Sequence, residues 1–368
     1  MAILALDGLR GVAVLAVLVA HLGEFVVPDL HGWLLPGGFL GVDVFFVLSG
    51  FLIAGLLADA APRVRIGRFW GRRLGRLLPA LALLAVGYLV VVALAFSDPL
   101  ARPLKTFAWS FGLVSNWQLS FGVQPPLDLL HLWSLSVEAQ FYLVAPLAAW
   151  AIVRWRWSWP VVSGLVLLGI VSSASLRALE WSWWADPGKV YTRTEARFDA
   201  ILVGVLLALV WRHAPHLVRA FGRTAPLGAL GLIACALFAN PGDAWLFNGG
   251  FTLVALLTAS VVAGAVAATG PVDAGLGWRP LRLAGRMSYS IYLWHLPIFL
   301  WVVRWSGDSG SWLGGIGDHA AGRIAVALGL TAIAATGSYL IAERPVLSRR
   351  RGAMWQQETA HHVPEPSV

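Results

Sequence analysis

Arg10 and His21 stand eleven residues apart in an otherwise apolar stretch, LRGVAVLAVLVAH. Eleven residues at about 3.6 per turn make close to three turns, so a helix projects both side chains from one face, about 16 Å apart. A neutral imidazole can take a proton from a hydroxyl near pH 7. A guanidinium grips phosphate in a fork, or stabilises negative charge that develops during a reaction. The plainer reading is that Arg10 snorkels to an interface and pairs with Asp7. A histidine deeper on the same face weighs against it.

Other segments carry similar chemistry. GVDVFFVLSGFLI holds Asp43, which the dipole of a helix N-terminus would favour on its own, and its Gly41 and Gly50 allow close helix approach. HLWSLSVEAQFY holds His131, Trp133 and Glu138. His131 and Glu138 are seven apart and share a helix face. Arg197 and Asp199 open RFDAILVG, where an interfacial ion pair is the alternative. Tyr292 and His295 lie in SYSIYLWHLP, where a packed core histidine is the alternative. RFWGRRLGRLLP is amphipathic at helical spacing, and its Arg73 and Arg76 suit a phosphate. Anionic lipid would satisfy the same arginines. His319, His361 and His362 read as exposed. The single cysteine, Cys235, excludes an intrachain disulfide or a cysteine metal site, and no metal is expected.

The elements that must position these groups follow from composition. Of 368 residues, 58% are hydrophobic and only 12% charged, against about 25% charged in a soluble domain. Mean hydropathy is +0.73. Such a chain cannot cover a soluble surface, and only its tail is polar enough for disorder. The expected fold is all-α, a polytopic transmembrane helix bundle. A span needs about 20 apolar residues, which gives about ten, at 9–27, 38–59, 79–97, 131–153, 159–177, 198–212, 225–240, 246–268, 287–305 and 320–342. Residues 106–121 read as a short interfacial or re-entrant piece, with an eleventh span as the alternative.

Arginines decide the orientation. They cluster at Arg63 to Arg76, at Arg154 and Arg156, at Arg212 to Arg223, at Arg279 to Arg286, and at Arg349 to Arg351. Ten spans put all five clusters on one side, which the positive-inside rule makes cytoplasmic, with both termini. His21, Asp43, His131, Glu138, Arg197 and Asp199 then map to the outer half, and Arg10, Arg73 and Arg76 to the inner side. The net charge of +8 and pI near 10.3 read as topology, not nucleic-acid binding. No cleavable signal is expected, because Arg10 and His21 interrupt the first apolar segment. The membrane domain is read as 1–348, followed by a cytoplasmic, disordered tail at 349–368. Gly307-Asp308-Ser309 matches the start of an SGNH-type esterase signature but reads as a polar turn between spans.

Six segments in order, from LDGLR through GVDVFFVLSGFLI, RFWGRRLGRLLPA, HLWSLSVEAQFYL and RFDAILVG to SYSIYLWHLP, give a pattern that resembles the acyltransferase-3 family of integral membrane acyltransferases. The resemblance implies transfer of an acyl group, often acetyl, from cytoplasmic acyl-coenzyme A to a hydroxyl of a cell-envelope carbohydrate or a glycosylated natural product. It implies acyl-coenzyme A as co-substrate, no permanently bound cofactor, and the bacterial inner membrane as location. The family's Arg-x10-His and Arg-x-x-Arg signatures fall on Arg10 with His21 and on Arg73 with Arg76. The usual acidic pair reads Glu138-Ala139 here, so one carboxylate remains. No SGNH domain follows the spans, so the chain resembles stand-alone members, which act directly or with a separate acyl-handling partner.

On this reading His21 is the general base, oriented by Glu138 or Asp43 as a carboxylate orients an imidazole in a triad. Arg10 binds coenzyme A or stabilises developing charge, and Arg73 and Arg76 hold its phosphates. His131, Trp133, Arg197, Asp199, Tyr292 and His295 support these groups or the acceptor. A covalent acyl-histidine step stays open. The rival reading is a proton-coupled transporter built on the same intramembrane charges. The chain shows neither the inverted repeat nor the paired broken helices of such transporters.

Overall fold

A computed structural model describes residues 4–61, 64–268, 271–307 and 319–346. Among these there is no strand. The helices in order are α1 (Leu4–His21), α2 (Gly41–Ala60), α3 (Ile66–Val91), α4 (Ala101–Phe111), α5 (Leu132–Arg154), α6 (Trp159–Trp184), α7 (Pro187–Val190), α8 (Thr194–His213), α9 (Pro215–Gly222), α10 (Ala225–Phe238), α11 (Phe251–Ala267), α12 (Pro271–Leu276), α13 (Arg279–Arg286), α14 (Ser288–Ser306) and α15 (Ala320–Ser338). Arg63, Asp308, Ser309 and the whole of 349–368 lie outside the described residues.

Each of the ten expected spans falls on a helix. Seven helical segments are long and apolar enough to cross a membrane, or eight if α9 and α10, bent by 56°, form one broken span. Helices α8 and α14 are not among them. The first carries Glu195, Arg197 and Asp199 near its start, and the second carries Tyr289, Tyr292 and His295. Those polar residues supply much of the chemistry expected from sequence.

Several boundaries differ from the sequence reading. Helix α3 starts at Ile66 and runs through Pro79, so the arginine-rich stretch and the apolar span are one rod. Helix α6 runs on to Trp184, which makes Arg177 an interior residue instead of a span end. Within 106–121 the chain ends the eleven-residue α4 and then makes two short 3-10 turns, Ser115–Trp117 and Leu119–Phe121. Eleven residues cover about 16 Å against a hydrocarbon core of about 30 Å, so this piece does not cross.

Helices α1, α2, α5 and α14 bury apolar side chains such as Val17, Val47, Val137 and Leu293 at the centre. Helices α6, α10 and α15 leave Leu168, Leu230 and Ile333 exposed, as a lipid-facing surface requires. Close approach at the centre depends on glycine. A Cβ on Gly50 of α2 would lie 1.9 Å from the carbonyl oxygen of Ile201 in α8, and one on Gly204 of α8 would lie 2.0 Å from that of Val47. Backbone oxygens cannot swing aside. Gly285 of α13 meets the Asp7 carbonyl of α1 in the same way, at 1.7 Å.

Gly50→Ala is therefore expected to lower the thermal unfolding midpoint of the detergent-solubilised protein by several degrees, in line with the roughly 1–3 kcal/mol cost of overpacking. Gly55→Ala, where nothing lies within 4 Å, should leave the midpoint unchanged or raise it slightly. Equal midpoints for the two variants would refute the backbone contact.

Candidate functional site

Helix α1 delivers His21 at its last residue, where a π-helical turn, Leu22–Val26, takes over. Its Nδ1 lies 2.8 Å from Nε2 of His295 in α14, with the two rings parallel within 4°. His295 is fully buried, and its Nδ1 donates to the Tyr292 carbonyl at 2.7 Å. His131, just before α5, places its ring 5.3 Å from that of His295, and its Nε2 donates to the Leu293 carbonyl at 3.1 Å. That carbonyl is free because residue 297, four positions on, is proline and brings no N–H. The Tyr292 hydroxyl donates to the His131 carbonyl at 3.1 Å and sits 2.7 Å from Ser134 Oγ. Backbone carbonyls thus occupy one nitrogen each on His131 and His295, so the three imidazoles do not offer a metal three free nitrogens at one point.

A second group gathers nearer the start of α1. Glu138 accepts hydrogen bonds from Ser49 Oγ and from the Tyr142 hydroxyl one turn along α5. The Arg73 guanidinium lies 5.6 Å from the ring centres of Phe69 and Tyr142, a stacking distance for a cation on an aromatic face. Arg76 reaches Glu343 at 3.4 Å, and the buried Glu343 also accepts from Ser290 Oγ at 2.6 Å. Among the described residues neither Arg10 nor Arg73 makes an ion pair, and Arg10 Nε is buried without a partner. This end therefore gathers two arginines that make no ion pair among the described residues, with Glu138 as the nearby carboxylate.

Between the two groups lies a cavity of about 40 Å³, lined by Arg10, Glu138, Phe45, Ser134, Tyr289 and Tyr292. It has room for a few water molecules. Arg10 and Glu138 come to it from the arginine side, and Ser134 and Tyr292 from the histidine side.

Asp43, Arg197 and Asp199 belong to a different network. Arg197 pairs with Asp43 at 2.7 Å, and its guanidinium sits over Phe251 at 3.8 Å and Tyr191 at 4.8 Å. Trp133 forms a more distant wall at 5.9 Å. Arg177 pairs with Asp199 at 2.8 Å and also donates to the Ala196 carbonyl and to Thr252 Oγ1, each at 2.7 Å. Thr252 returns a hydrogen bond to Asp199 at 2.6 Å. All four charged groups are at most 1% exposed.

The expected orienting carboxylate is therefore absent from the His21 contacts. Asp43 goes to Arg197 and Glu138 to two hydroxyls. Arg10 and His21 do share one helix, but only Arg10 lines the cavity. Sequence reasoning passed over Arg177, Glu343, Ser49 and Tyr142. A lone arginine or glutamate in an apolar helix was a usable signal for the first two. For Ser49 and Tyr142 only the i, i+4 spacing of Glu138 and Tyr142 hinted at a partnership.

The acyltransferase-3 family profile, described as an acyltransferase domain, matches residues 3–343. The chain is 32% identical over 319 residues to the O-acetyltransferase OatA of Staphylococcus aureus strain NCTC 8325, covering 81% of this chain and 50% of OatA. It is 30% identical over 380 residues to YrhL of Bacillus subtilis strain 168, named provisionally as a peptidoglycan O-acetyltransferase, covering 98% of this chain and 57% of YrhL. The chain thus spans about half the length of these curated relatives. No solved structure matches it significantly.

The buried pairs give a stability prediction. Arg197→Met leaves Asp43 buried and unpaired, which costs on the order of 3–5 kcal/mol. The variant should unfold at a clearly lower temperature or fail to purify as a single species. Adding Asp43→Leu should recover part of that loss, because no charge is then stranded. A double variant no more stable than Arg197→Met alone would contradict the pairing.

Proposed function

Because the chain belongs to the acyltransferase-3 family, we propose that it is a membrane O-acyltransferase that moves an acetyl group from acyl-coenzyme A to a hydroxyl of a cell-envelope glycan. The observation that carries this reading is the cavity between a group of arginines and a histidine group. The names of the relatives support acetyl as the group and the envelope glycan as the acceptor.

Coenzyme A is a polyanion, and its phosphates would meet Arg73, with Arg76 held in place by Glu343. The thioester would pass through the cavity beside Arg10 toward His21. His21 would take the proton of the acceptor hydroxyl as its oxygen attacks the thioester carbonyl. Arg10, about three turns from His21 along α1, would contact the coenzyme A part of the donor. The C–S bond then breaks, the ester C–O bond remains, and the leaving thiolate recovers the proton from His21. A cavity of about 40 Å³ cannot hold a pantetheine arm, so side chains such as Phe45 must move when substrate enters.

The five arginine clusters support ten spans with both termini in the cytoplasm of a bacterium, in its inner membrane. That places the coenzyme A side inside and His21 toward the outside. In a Cys235→Ser background, a cysteine at position 156 should react with an impermeant maleimide only after the cells are opened. One at position 122 should react in intact cells. The reverse pattern would invert the proposed topology.

The activity test uses the purified protein in liposomes with radiolabelled acetyl-coenzyme A and peptidoglycan glycan fragments. Wild type should transfer label to the glycan. His21→Ala should lose at least about 100-fold in rate, the scale of general-base catalysis. Arg73→Ala should mainly raise KM for acetyl-coenzyme A. Full transfer by a correctly folded His21→Ala protein would overturn the mechanism, and glycan flux without acylation would favour a transporter.

A further inference from the structure

The hydrogen bonds around His295 fix more than its position. A carbonyl oxygen can only accept, so the 2.7 Å contact of His295 Nδ1 with the Tyr292 carbonyl requires a proton on Nδ1. A neutral imidazole carries one ring proton, so Nε2 of His295 is then a lone-pair acceptor. It lies 2.8 Å from Nδ1 of His21. That contact is a hydrogen bond only if His21 carries its own proton on Nδ1.

Neutrality of His295 follows from its surroundings. The ring has no exposure to solvent. The groups in ring contact with it are His21, His131, Tyr292 and Phe299. Its hydrogen-bond partners are His21 and the Tyr292 carbonyl, and among the described residues it makes no ion pair with a carboxylate; a buried cation without a counter-charge is costly. His21, by contrast, is only partly buried, so the exposed member of the pair is the one that can meet substrate.

We propose that His295 is a positioning residue that holds His21 in the Nδ1–H tautomer and thereby makes His21 Nε2 the atom that accepts the substrate proton. The proposal rests on the acyltransferase reading above. The chain of donors runs in one direction, from His21 Nδ1–H to His295 Nε2 and from His295 Nδ1–H to the Tyr292 carbonyl. When His21 Nε2 gains a proton, the Nδ1–H bond to a lone pair strengthens and the new positive charge is shared between two rings. An imidazole thus fills the place that a carboxylate takes in a triad. Unlike a carboxylate it adds no buried negative charge to the resting site.

Two variants of similar polarity separate this role from packing. His295→Gln presents a side-chain oxygen at about the reach of Nε2 and can accept from His21. His295→Asn keeps an N–H for the Tyr292 carbonyl but is too short to reach His21. In the liposome assay, His295→Asn should lower kcat about 10- to 100-fold with KM for acetyl-coenzyme A within about twofold. His295→Gln should recover to within about fivefold of wild type. Equal loss in both, or a loss expressed in KM, would show a packing role and overturn the proposal.

A readout independent of activity uses histidine-15N-labelled wild-type protein in bilayers, with the His21 signals identified by their disappearance in His21→Asn. The expected spectrum has His21 Nδ1 protonated and Nε2 bare. The opposite assignment would overturn the proposal even if the His295 variants fail to fold. If His21→Ala itself keeps full transfer, the acyltransferase mechanism fails first. If His21→Ala is inactive and His295→Asn is normal, only the positioning role fails.

Discussion

The buried ion pair of Asp43 with Arg197 spans α2 and α8, which touch backbone to backbone at Gly50 and Gly204, and the pair of Arg177 with Asp199 ties α6 to the same α8. In a bilayer no water stands by to solvate a charge, so a charge without an opposite partner or a polar cavity is costly. The two pairs bring α2, α6 and α8 together, and Thr252 and Phe251 add α11. Trp133 and Tyr191 pack on the same guanidinium and bring in the start of α5. The ends of four helices are thereby held where His131 and the start of the α5 site must sit. Separate α2 from α8 at the glycine contact and the Asp43–Arg197 pair is pulled apart, and with it part of the frame of the site.

The same constraint decides what is left for chemistry. The membrane-embedded carboxylates are already committed. Asp43 and Asp199 neutralise arginines, Glu343 holds Arg76, and Glu138 binds Ser49 and Tyr142. Two arginines at the centre, Arg10 and Arg73, keep their charge without an ion pair among the described residues. A polyanionic ligand is the natural complement to that excess. His21 meets another imidazole in place of a carboxylate, and this keeps the histidine side electrically neutral. The cavity therefore joins an end that holds Arg10 and Glu138 to an end of uncharged hydroxyls, Ser134 and Tyr292.

Much of this was legible in the sequence, and the limits have a physical origin. The all-helical membrane class followed from hydropathy, and the exceptional charges stood out because so few are present. What spacing along one chain cannot give is the neighbour across the bundle. Arg10 and His21 were placed on one helix correctly, but the partner of His21 sits 274 residues away. Asp43 looked like an orienting carboxylate because nothing along the chain points to its partner Arg197, 154 residues away. Arg177 was taken for a span end because an apolar window closes on a charge, whereas α6 continues through Trp181 and Trp184. The hydropathy ruler falls short for a related reason at α8 and α14. Both helices exist, yet both are too polar to pass a span test on length and composition, because they carry the groups that bind inside the bundle.

Proline supplies the link between sequence and site that periodicity misses. Pro297 brings no N–H to the Leu293 carbonyl, and an unpaired carbonyl in a dry interior must be satisfied by something. His131 satisfies it from just before the start of α5, at 3.1 Å. That bond fixes which His131 nitrogen carries the proton and docks the start of α5 onto the middle of α14. The Tyr292 hydroxyl secures the same junction by donating to the His131 carbonyl. In the stretch YLWHLP the tyrosine, histidine and proline thus act as one unit. The proline exposes an acceptor for His131, the tyrosine carbonyl sets the tautomer of His295, and His295 passes that order on to His21.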